Sequence, residues 1–260
     1  MVNSFGETHM EVILAARSAR KRSHVLPFLF VVVACLAAAA AYRSAVRPRG
    51  VLANLDYCCA TIDLPSGDYR VAPALARIDQ AETFDALIAR LKPYAAITGT
   101  FYGPERVPLG DIVIDGKLAR RGFQRQGIGF TRAGQIRFLE RHGSSRIDWK
   151  GCRAGVACGP RLLRDGKIDI DVRGDGFTAA AARIKATRCG IGATGHGKLI
   201  LIAIREPVTL GTLAKALLEL GAVDAINMDG GALTGLYSNG RCQAEPMVPV
   251  SNVLAVYKVR

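Results

Sequence analysis

Short strand-like segments separated by glycine turns recur through most of this sequence and limit the folds that are open to it. Such turns favour antiparallel neighbours, because glycine and Asp-Gly pairs accept the backbone angles of tight hairpins. A doubly wound parallel sheet would need more helices between its strands, so we expect a largely antiparallel or mixed sheet. Paired strands are predicted around Ser66-Gly67-Asp68, Asp115-Gly116, Ala133-Gly134, Asp165-Gly166 and Gly195-His196-Gly197.

Two segments have the spacing of principal amphipathic helices. FDALIARL, which begins at Phe84, follows the capping residue Thr83 and repeats apolar residues at helical spacing. LGTLAKALLELG follows Thr209 and ends at Gly221. Two helices among many strands predict an α+β class, with a single domain over residues 55–260.

An uncharged run at residues 25–42 is long enough to cross a hydrocarbon core of ~30 Å as a helix. Basic residues precede it, which favours a cytoplasmic N-terminus. We therefore expect a basic cytoplasmic segment over 1–24, one transmembrane signal anchor over 25–42 and a linker over 43–54. A cleaved signal peptide is the alternative, since alanines occupy 37–41, and a start at Met10 would shorten the region before the run. Both interpretations place the domain in the periplasm or extracellular space.

The net charge of +13 raises the question of a nucleic-acid partner. The basic residues beyond the N-terminal segment are scattered, without a run of five or more, and they alternate with apolar positions. Such a pattern is typical of a solvated basic surface, so we expect no nucleic-acid partner. A moderately basic surface favours an anionic substrate.

Six cysteines lie outside the apolar run, an even number that predicts disulfides in an exported domain. Cys152 and Cys158 border the short segment GCRAGVACG and are candidates for a local bridge, with buried thiols as the alternative. The cysteine spacing does not fit zinc, and the acidic residues near Asp171 lack the pattern of a calcium loop. We therefore expect neither metal nor cofactor.

An apolar strand that ends in a carboxylate and two glycines is the strongest chemical signal in the sequence. In Ile226 to Gly231, Asp229 follows the strand directly and Gly230 comes next. This placement brings a carboxylate to the rim of a sheet, while glycines let backbone N–H groups approach a ligand closely. Because Asp-Gly is also a common turn pair, the motif alone does not identify a site.

Several short motifs, in their order and spacing, resemble the phosphodiester glycosidase family over about residues 55–260. They are Thr98-Gly99-Thr100-Phe101-Tyr102, Pro108-Leu109-Gly110, Asp115-Gly116-Lys117, the stretch Gly159 to Lys167, Arg188-Cys189-Gly190-Ile191-Gly192, Asp229-Gly230-Gly231 and the stretch Pro249 to Leu254. The resemblance implies hydrolysis of a sugar-1-phosphodiester in an envelope polysaccharide or related glycoconjugate. The chain departs from the family pattern at Thr98, Thr100 and Leu233, which leaves open a non-catalytic carbohydrate-binding or exopolysaccharide-assembly protein.

Roles for individual residues follow from the same resemblance. Asp229 is expected on the sugar side, as nucleophile, general base or water-positioning group, and Arg188 is expected to hold the phosphate through its planar guanidinium. Without the resemblance, Arg188 would be interpreted as a strand surface residue. The residues expected to bind or support the substrate are Thr98, Gly99, Thr100, Phe101, Tyr102, Asn227, Gly230, Gly231, Thr234 and Asn252. Phe101 and Tyr102 would offer a sugar platform, Asn227 would orient Asp229 from the same strand face, and the two glycine amides would bind an oxyanion.

Overall fold

The computed structural model describes residues 50–77 and 81–259 of the chain. The predicted cytoplasmic segment and transmembrane anchor lie outside the described residues. Among the residues that are described, no helix is both long and apolar enough to cross a membrane.

Two α-helices and many short strands make up the described part of the chain, as the sequence predicts. The helices are α1 (Phe84–Leu91) and α2 (Leu210–Glu219), and short 3-10 helices occur at Val51–Asn54, Leu64–Ser66, Ala179–Ala182 and Gly231–Leu233. The strands are β1 (Tyr57–Ile62), β2 (Tyr69–Leu75), β3 (Ala95–Thr98), β4 (Ile112–Ile114), β5 (Lys117–Arg120), β6 (Gln126–Thr131), β7 (Ile136–Glu140), β8 (Cys152–Cys158), β9 (Arg161–Arg164), β10 (Lys167–Ile168), β11 (Ala186–Thr194), β12 (Leu199–Val208), β13 (Ala222–Met228), β14 (Leu236–Ser238), β15 (Arg241–Ala244) and β16 (Asn252–Lys258).

The strands form three sheets. Sheet A has the order β1-β12-β11-β13-β9-β10, sheet B the order β15-β14-β3-β16-β2, and sheet C the order β5-β4-β8-β6-β7. The strand pairs within all three sheets are antiparallel. The α+β class is therefore confirmed.

One hydrophobic core joins the inner faces of the three sheets. It contains Ile191 of sheet A, Ile97 of sheet B, and Ile128 and Val156 of sheet C, each almost fully buried. Burial of aliphatic side chains at roughly 25 cal/mol per Å² is the main force that holds such layers together. The three sheets therefore form one packed unit.

Each helix is capped at its N-terminus by the threonine that precedes it in the sequence. The Thr83 side chain accepts a hydrogen bond from the backbone N–H of Ala86 at 3.3 Å, and that of Thr209 accepts one from Thr212 at 3.2 Å. The apolar stripe of α1 packs on sheet B and that of α2 on sheet A. The two helices therefore cover outer sheet faces and leave the common core to the strands.

The predicted pairs β4–β5, β6–β7, β9–β10 and β11–β12 are all confirmed, and two of them have a two-residue Asp-Gly turn. Asp115 and Gly116 join β4 to β5 with φ of 48° and 79°, and Asp165 and Gly166 join β9 to β10 with φ of 48° and 73°. Two successive left-handed residues match the twist of the flanking strands, which is why Asp-Gly occurs there.

The prediction that β1 and β2 pair around Ser66-Gly67-Asp68 is wrong. β1 pairs with β12 in sheet A, and β2 pairs with β16 in sheet B. The 3-10 helix at Leu64–Ser66 carries the chain from one sheet to the other, with Leu64 buried in the shared core. β1 and β2 therefore each pair with a strand that lies more than 130 positions later in the sequence, and not with each other.

The predicted bridge between Cys152 and Cys158 is also wrong. These cysteines are the first and last residues of β8, and six rises of ~3.3 Å separate their Cα atoms by ~20 Å, whereas a disulfide needs less than ~7 Å. The described cysteines are free thiols. Burial raises the pKa of Cys152 and of Cys158, the latter to about 12, so the alternative of buried thiols fits.

Residues assigned to the linker by sequence contribute to the folded unit. Val51–Asn54 form a 3-10 helix, and Leu52 is buried against the side of sheet A that carries α2. The backbone N–H groups of Val51 and Leu52 donate to the Glu219 carboxylate at 2.6 and 2.9 Å. The described chain is therefore anchored to the last turn of α2 from its first residues.

Candidate functional site

Asp229 directly follows β13 of sheet A and contacts the residue that follows β3 of sheet B. Strand β13 of sheet A ends at Met228, and the next backbone N–H, that of Asp229, donates to the carbonyl of Gly99 at 3.1 Å. Gly99 directly follows β3 of sheet B. The sequence prediction that Asp229 reaches the rim of a sheet therefore agrees with its position after β13.

The Asp229 carboxyl is buried and has no cationic partner among the described residues. Asp229 is 7% exposed, and its Oδ1 accepts a hydrogen bond from the backbone N–H of Gly230 at 2.9 Å. Burial raises the pKa of Asp229 to about 7, an effect that the Gly230 hydrogen bond only partly opposes. Near neutral pH this carboxyl is therefore divided between its two protonation states, as a group that exchanges protons in catalysis must be.

The turn after Asp229 is fixed to the beginning of β11. A Cβ at Gly230 would lie 2.8 Å from the Thr187 carbonyl oxygen and 3.2 Å from the Arg188 Cα, so a side chain does not fit there. The Thr234 hydroxyl lies 2.9 Å from that of Thr187, which donates to the carbonyl of Gly231 at 2.8 Å. Thr234 therefore supports the turn through Thr187, and a role for it at the substrate stays a prediction.

The two glycine amides differ in availability. The N–H of Gly230 is occupied by the Asp229 carboxyl. The N–H of Gly231 has no acceptor in the described ranges of the chain, and Gly231 has φ of 61° at the start of a 3-10 turn. Of the two, Gly231 is the amide that remains open to an anion.

Asn252 clamps the segment that follows β3. Its side-chain Oδ1 accepts from the Thr100 N–H at 2.7 Å, and its Nδ2 donates to the Thr100 carbonyl at 3.0 Å. Gly99 is required beside it, because a Cβ there would lie 1.8 Å from Asn252 Oδ1. Asn252 therefore positions the backbone behind Asp229, and its Nδ2 also donates to the Ser251 hydroxyl at 2.8 Å, so that its buried amide is occupied within the protein.

Thr98 and Thr100 are buried and face protein rather than an open cleft. The Thr98 hydroxyl donates to the Leu233 carbonyl at 2.6 Å, and Thr100 lies beside the Cys158 thiol. Thr98 and Thr100, predicted to bind substrate, lie next to the site, where they support the Asp229 turn and the β3 end.

Phe101 and Tyr102 are only partly buried. The Phe101 ring meets Phe177 edge-on at 5.7 Å between centroids, and the Tyr102 hydroxyl donates to the Pro249 carbonyl at 3.2 Å. Burial raises the pKa of Tyr102, and the nearby charge of Asp229 raises it further. Of these two aromatic residues, Tyr102 is the one that lies close enough to Asp229 for the carboxylate charge to affect its pKa.

Asn227 binds the connection between β8 and β9 rather than Asp229. Its Nδ2 donates to the Gly159 carbonyl at 2.9 Å, and its Oδ1 is buried with no hydrogen-bond partner among the described residues. Asn227 thus contacts the turn that follows Cys158.

The Arg188 guanidinium is bound to backbone carbonyls. Its Nε donates to Val208 at 3.3 Å and its Nη2 to Ile184 at 2.7 Å, and burial lowers its pKa. The Arg188 backbone packs against Gly230, but in the described structure the side chain forms neither a hydrogen bond nor an ion pair with Asp229. A role for Arg188 at the phosphate stays a prediction.

Arg106 is a cation near the site that the sequence did not indicate. It is exposed, has φ of 61°, and lies at the tip of a loop closed by the hydrogen bond from the Arg106 N–H to the Gly103 carbonyl at 2.8 Å. Its charge lowers the pKa of Tyr102, opposite to the effect of Asp229. Its proximity depends on the loop conformation, which left no recognisable motif in the sequence.

Comparisons with known proteins agree with this architecture. A hypothetical protein from Synechocystis matches with a TM-score of 0.69 and 17% identity over 78% of this chain, which spans 59% of that protein. The catalytic domain of zebrafish N-acetylglucosamine-1-phosphodiester alpha-N-acetylglucosaminidase, auto-inhibited by its pro-peptide, matches with a TM-score of 0.63 and 20% identity over 78% of this chain and 83% of that one. At these identities the likeness concerns the fold.

A search of curated proteins gives no match. The family model described as phosphodiester glycosidase, however, matches residues 92–257, a range that includes Asp229, Asn252 and the segment after β3. This range is more than half of the sequence. The chain therefore belongs to the phosphodiester glycosidase family.

Proposed function

We propose that this protein hydrolyses a sugar-1-phosphodiester in an envelope polysaccharide or related glycoconjugate, with Asp229 as the carboxyl group that acts at the sugar. The observation that carries the proposal is the buried Asp229 carboxyl, whose pKa is raised to about 7 at the junction of two sheets. Membership of the phosphodiester glycosidase family supports the reaction class.

In the proposed reaction, the bond between sugar C1 and the phosphate oxygen breaks. That oxygen keeps the bonding electron pair and leaves as part of a phosphomonoester. Water supplies the hydroxyl group that becomes bonded to C1, and the proton of this water passes to the carboxylate and then to solvent or to the phosphomonoester. Because phosphate is a good leaving group, the reaction depends less on a strong general acid than ordinary glycoside hydrolysis does.

The surroundings of Asp229 suit the sugar side of the scissile bond. A carboxylate without a cationic partner would repel a phosphate, whereas it stabilises the positive charge that develops on the sugar ring in the transition state. Removal of water from the carboxyl strengthens this attraction. Asp229 is proposed to act as a carboxylate, either on a water molecule or directly at C1.

The phosphate side is proposed to be held by two guanidinium groups and one amide. Arg188 retains its Nη1 for a ligand, since the described contacts use its Nε and Nη2. Arg106 supplies an exposed charge on the Tyr102 side, and the Gly231 N–H is open. Phe101 and Tyr102 are proposed to contact the sugar ring.

Hydrolysis of defined small substrates tests the proposal. The full-length chain is incubated with methyl sugar 1-phosphodiesters of both anomers in ¹⁸O-labelled water, and methyl phosphate is followed by ³¹P NMR. We expect the label in the sugar, which identifies cleavage of the C1–O bond, and loss of turnover in Asp229→Asn. The exposed Asp68→Asn serves as the matched control. No turnover of any of these diesters, or label in the phosphate, would contradict the proposal.

A catalytically silent carbohydrate-binding protein is the second candidate. The observation that favours it is the engagement of predicted anion-binding groups within the protein, namely the Arg188 guanidinium with two carbonyls and the Gly230 amide with Asp229. Binding of the same diesters without turnover would support this candidate.

Membrane anchoring through residues 25–42, with the domain in the periplasm or extracellular space, is part of the same proposal. The supporting observation is the uncharged run in the sequence. Cell fractionation with and without external protease tests it, because an exported anchored domain stays with membranes and is digested from outside.

A further inference from the structure

A groove on the outer face of sheet C, remote from Asp229, carries a second inference. Its volume is about 670 Å³. We call it the Trp149 groove. Its lining includes Leu118, Arg132, Trp149, Lys150 and Arg153.

Glycines on the outer face of sheet C make room for the larger side chains that line the groove. One row of neighbouring residues crosses all five strands, in the order Leu118, Val113, Gly155, Gly129 and Arg137. Residues opposite one another on paired strands share a face, so two adjacent members of this row present no side chain to solvent. The space at both glycines is taken by neighbouring side chains, since a Cβ at Gly129 would lie 2.5 Å from the Cys152 Sγ and one at Gly155 would lie 2.4 Å from the Trp149 ring.

Trp149 lies directly on Gly155 and Gly127. Cβ atoms at Gly155 and Gly127 would lie 2.4 and 2.7 Å from its ring atoms, so the ring rests where these side chains are missing. Its indole N–H donates to Asp111 Oδ2 at 2.9 Å, and Asp111 in turn accepts from the Gly122 N–H at 2.7 Å. The ring is thus held in place before any ligand arrives, which lowers the entropy lost on binding.

The charges around the groove favour an anion. Of the charged side chains that line it, Arg132, Lys150 and Arg153 are basic, and Asp115 is acidic. Asp115 is paired with Arg153 at 3.1 Å. Arg132 and Lys150 are both exposed, and the salt bridges of the described chain do not include either of them. Together they give the groove a positive charge beside an aromatic ring.

A second groove, of about 700 Å³, meets the first at the β6–β7 turn, where both are lined by Ala133 and Gln135. The two recesses therefore lie side by side at this turn, an arrangement that offers neighbouring units of a polymer two adjacent places to bind. Cys152 lines the Trp149 groove at one end of β8, whereas the charge of Asp229 reaches Cys158 at the other end, ~20 Å away along the strand.

We propose that the Trp149 groove binds a segment of an anionic, phosphodiester-bearing polysaccharide, with a sugar ring against Trp149 and Leu118 and the anionic groups at Arg132 and Lys150. The choice of this polymer rests on the proposed function, because the polymer would also be the substrate of the Asp229 site. Sugar rings pack on aromatic rings through their apolar C–H faces, and guanidinium and ammonium groups bind phosphate oxygens. The groove would hold the polymer while another part of it reaches Asp229.

Trp149 is the only tryptophan of the chain, so its fluorescence reports on this groove directly. The full-length chain carrying Asp229→Asn, which prevents turnover, is titrated with phosphomannan and with the same mannan after removal of its phosphate. We expect a saturable change in emission with phosphomannan, weakened by salt, and little response to the dephosphorylated polymer.

Charge-neutral variants test the assignment of the cations. We expect Arg132→Gln with Lys150→Gln to weaken phosphomannan binding about tenfold, as loss of charge-assisted contacts does. Lys215→Gln with Arg241→Gln removes the same charge from exposed positions outside the groove and should bind as the parent does. Unchanged emission, equal response to the dephosphorylated polymer, or full affinity in the Arg132/Lys150 variant would each overturn the inference.

Hydrolysis of a small diester separates this inference from the proposed function. With Asp229 intact, the Arg132→Gln, Lys150→Gln variant should cleave methyl sugar 1-phosphodiesters at the normal rate, because neither residue lies at the Asp229 site. If small diesters are not cleaved but Trp149 still reports phosphomannan binding, the groove assignment stands and the hydrolase proposal fails.

Discussion

The backbone N–H of Asp229 donates to the carbonyl of Gly99 at 3.1 Å, and this bond joins the ends of strands from two different sheets. It holds the carboxyl against the core side of the junction, where Tyr102, Cys158 and Cys189 lie close enough for its charge to raise their pKa values. Asp229 therefore owes its raised pKa to the way that the sheets meet.

The pH dependence of hydrolysis should follow the ionisation of Asp229. Since the proposed reaction uses the carboxylate and the phosphodiester stays ionised, we expect kcat/KM to rise with pH through an inflection near the Asp229 pKa of about 7. Initial rates with a methyl sugar 1-phosphodiester, measured from about pH 5 to about pH 9, provide the profile. A fall through the same region would instead identify Asp229 as an acid.

Stability should change with pH in the opposite direction. In the unfolded chain the Asp229 pKa is ordinary, about 4, so the folded state binds the proton more tightly between about pH 4 and the folded value. The free energy of unfolding of the parent protein therefore falls as pH rises through this window. The Asp229→Asn variant lacks the titrating carboxyl, so its free energy of unfolding does not show this fall. We expect the variant to exceed the parent by on the order of a few kcal/mol above the window and little below it. Urea unfolding at both pH values measures this, and an equal difference at the two would refute it.

Asn252 should matter for stability more than for ligand contact. Asn252→Ala leaves the buried N–H and C=O of Thr100 without partners, which we expect to cost roughly 2–4 kcal/mol. The exposed Asn54→Ala should change the free energy of unfolding by less than about 0.5 kcal/mol. Urea denaturation compares the two variants, and equal stabilities would show that the clamp is unimportant.

The two arginines near the site should separate by their effects. Arg106 is exposed, so Arg106→Gln is expected to raise KM for a small diester about tenfold with unchanged stability. Arg188→Gln should raise KM and also lower the free energy of unfolding by roughly 1–3 kcal/mol, because two carbonyls lose their donor. Steady-state kinetics and urea unfolding measure both, with Arg241→Gln as control. A normal KM for Arg188→Gln would restrict Arg188 to a structural role.

The cysteines should react as thiols once the chain is unfolded. We expect the cysteines described by the structure to be alkylated in denaturant without any reductant, and Cys158 and Cys189 to be protected in the folded protein because they are fully buried. Mass spectrometry of peptides from reduced and unreduced samples gives the comparison. A linked peptide containing Cys152 and Cys158 would contradict the extended β8.

The parts of the fold that the sequence predicts well are those with local causes. Thr83 and Thr209 cap their own helices, and Asp115-Gly116 sets its own turn. The partner of β1 could not be predicted in this way, because its pairing with β12 depends on packing between residues about 140 positions apart. The extended conformation between Cys152 and Cys158 did leave a signal in the sequence, because Ala154 to Ala157 are a continuous run of small and apolar residues, as a strand buried on both faces requires.

The candidate site shows the same division. The position of Asp229 at a strand end was predicted from the residues that precede it. Asn252 and Thr100 belong to two motifs that were both expected at the site, and the structure joins them by a hydrogen bond. The charge environment was not predictable, because it depends on which side chains turn toward Asp229. Arg188 turns to Val208 and Ile184, and the charge of Arg106 acts on Tyr102.

Strand β2 occupies an edge of sheet B, where its one neighbouring strand among the described residues is β16, which lies more than 170 positions later in the sequence. A ribosome or export channel that releases the chain from its N-terminus therefore delivers β2 long before its partner exists. Until residue 258 has emerged, the inner strands of this sheet lack their closing neighbour and expose unpaired backbone groups that attract other chains. Loss of even the final strand should thus produce aggregation rather than a shortened working protein.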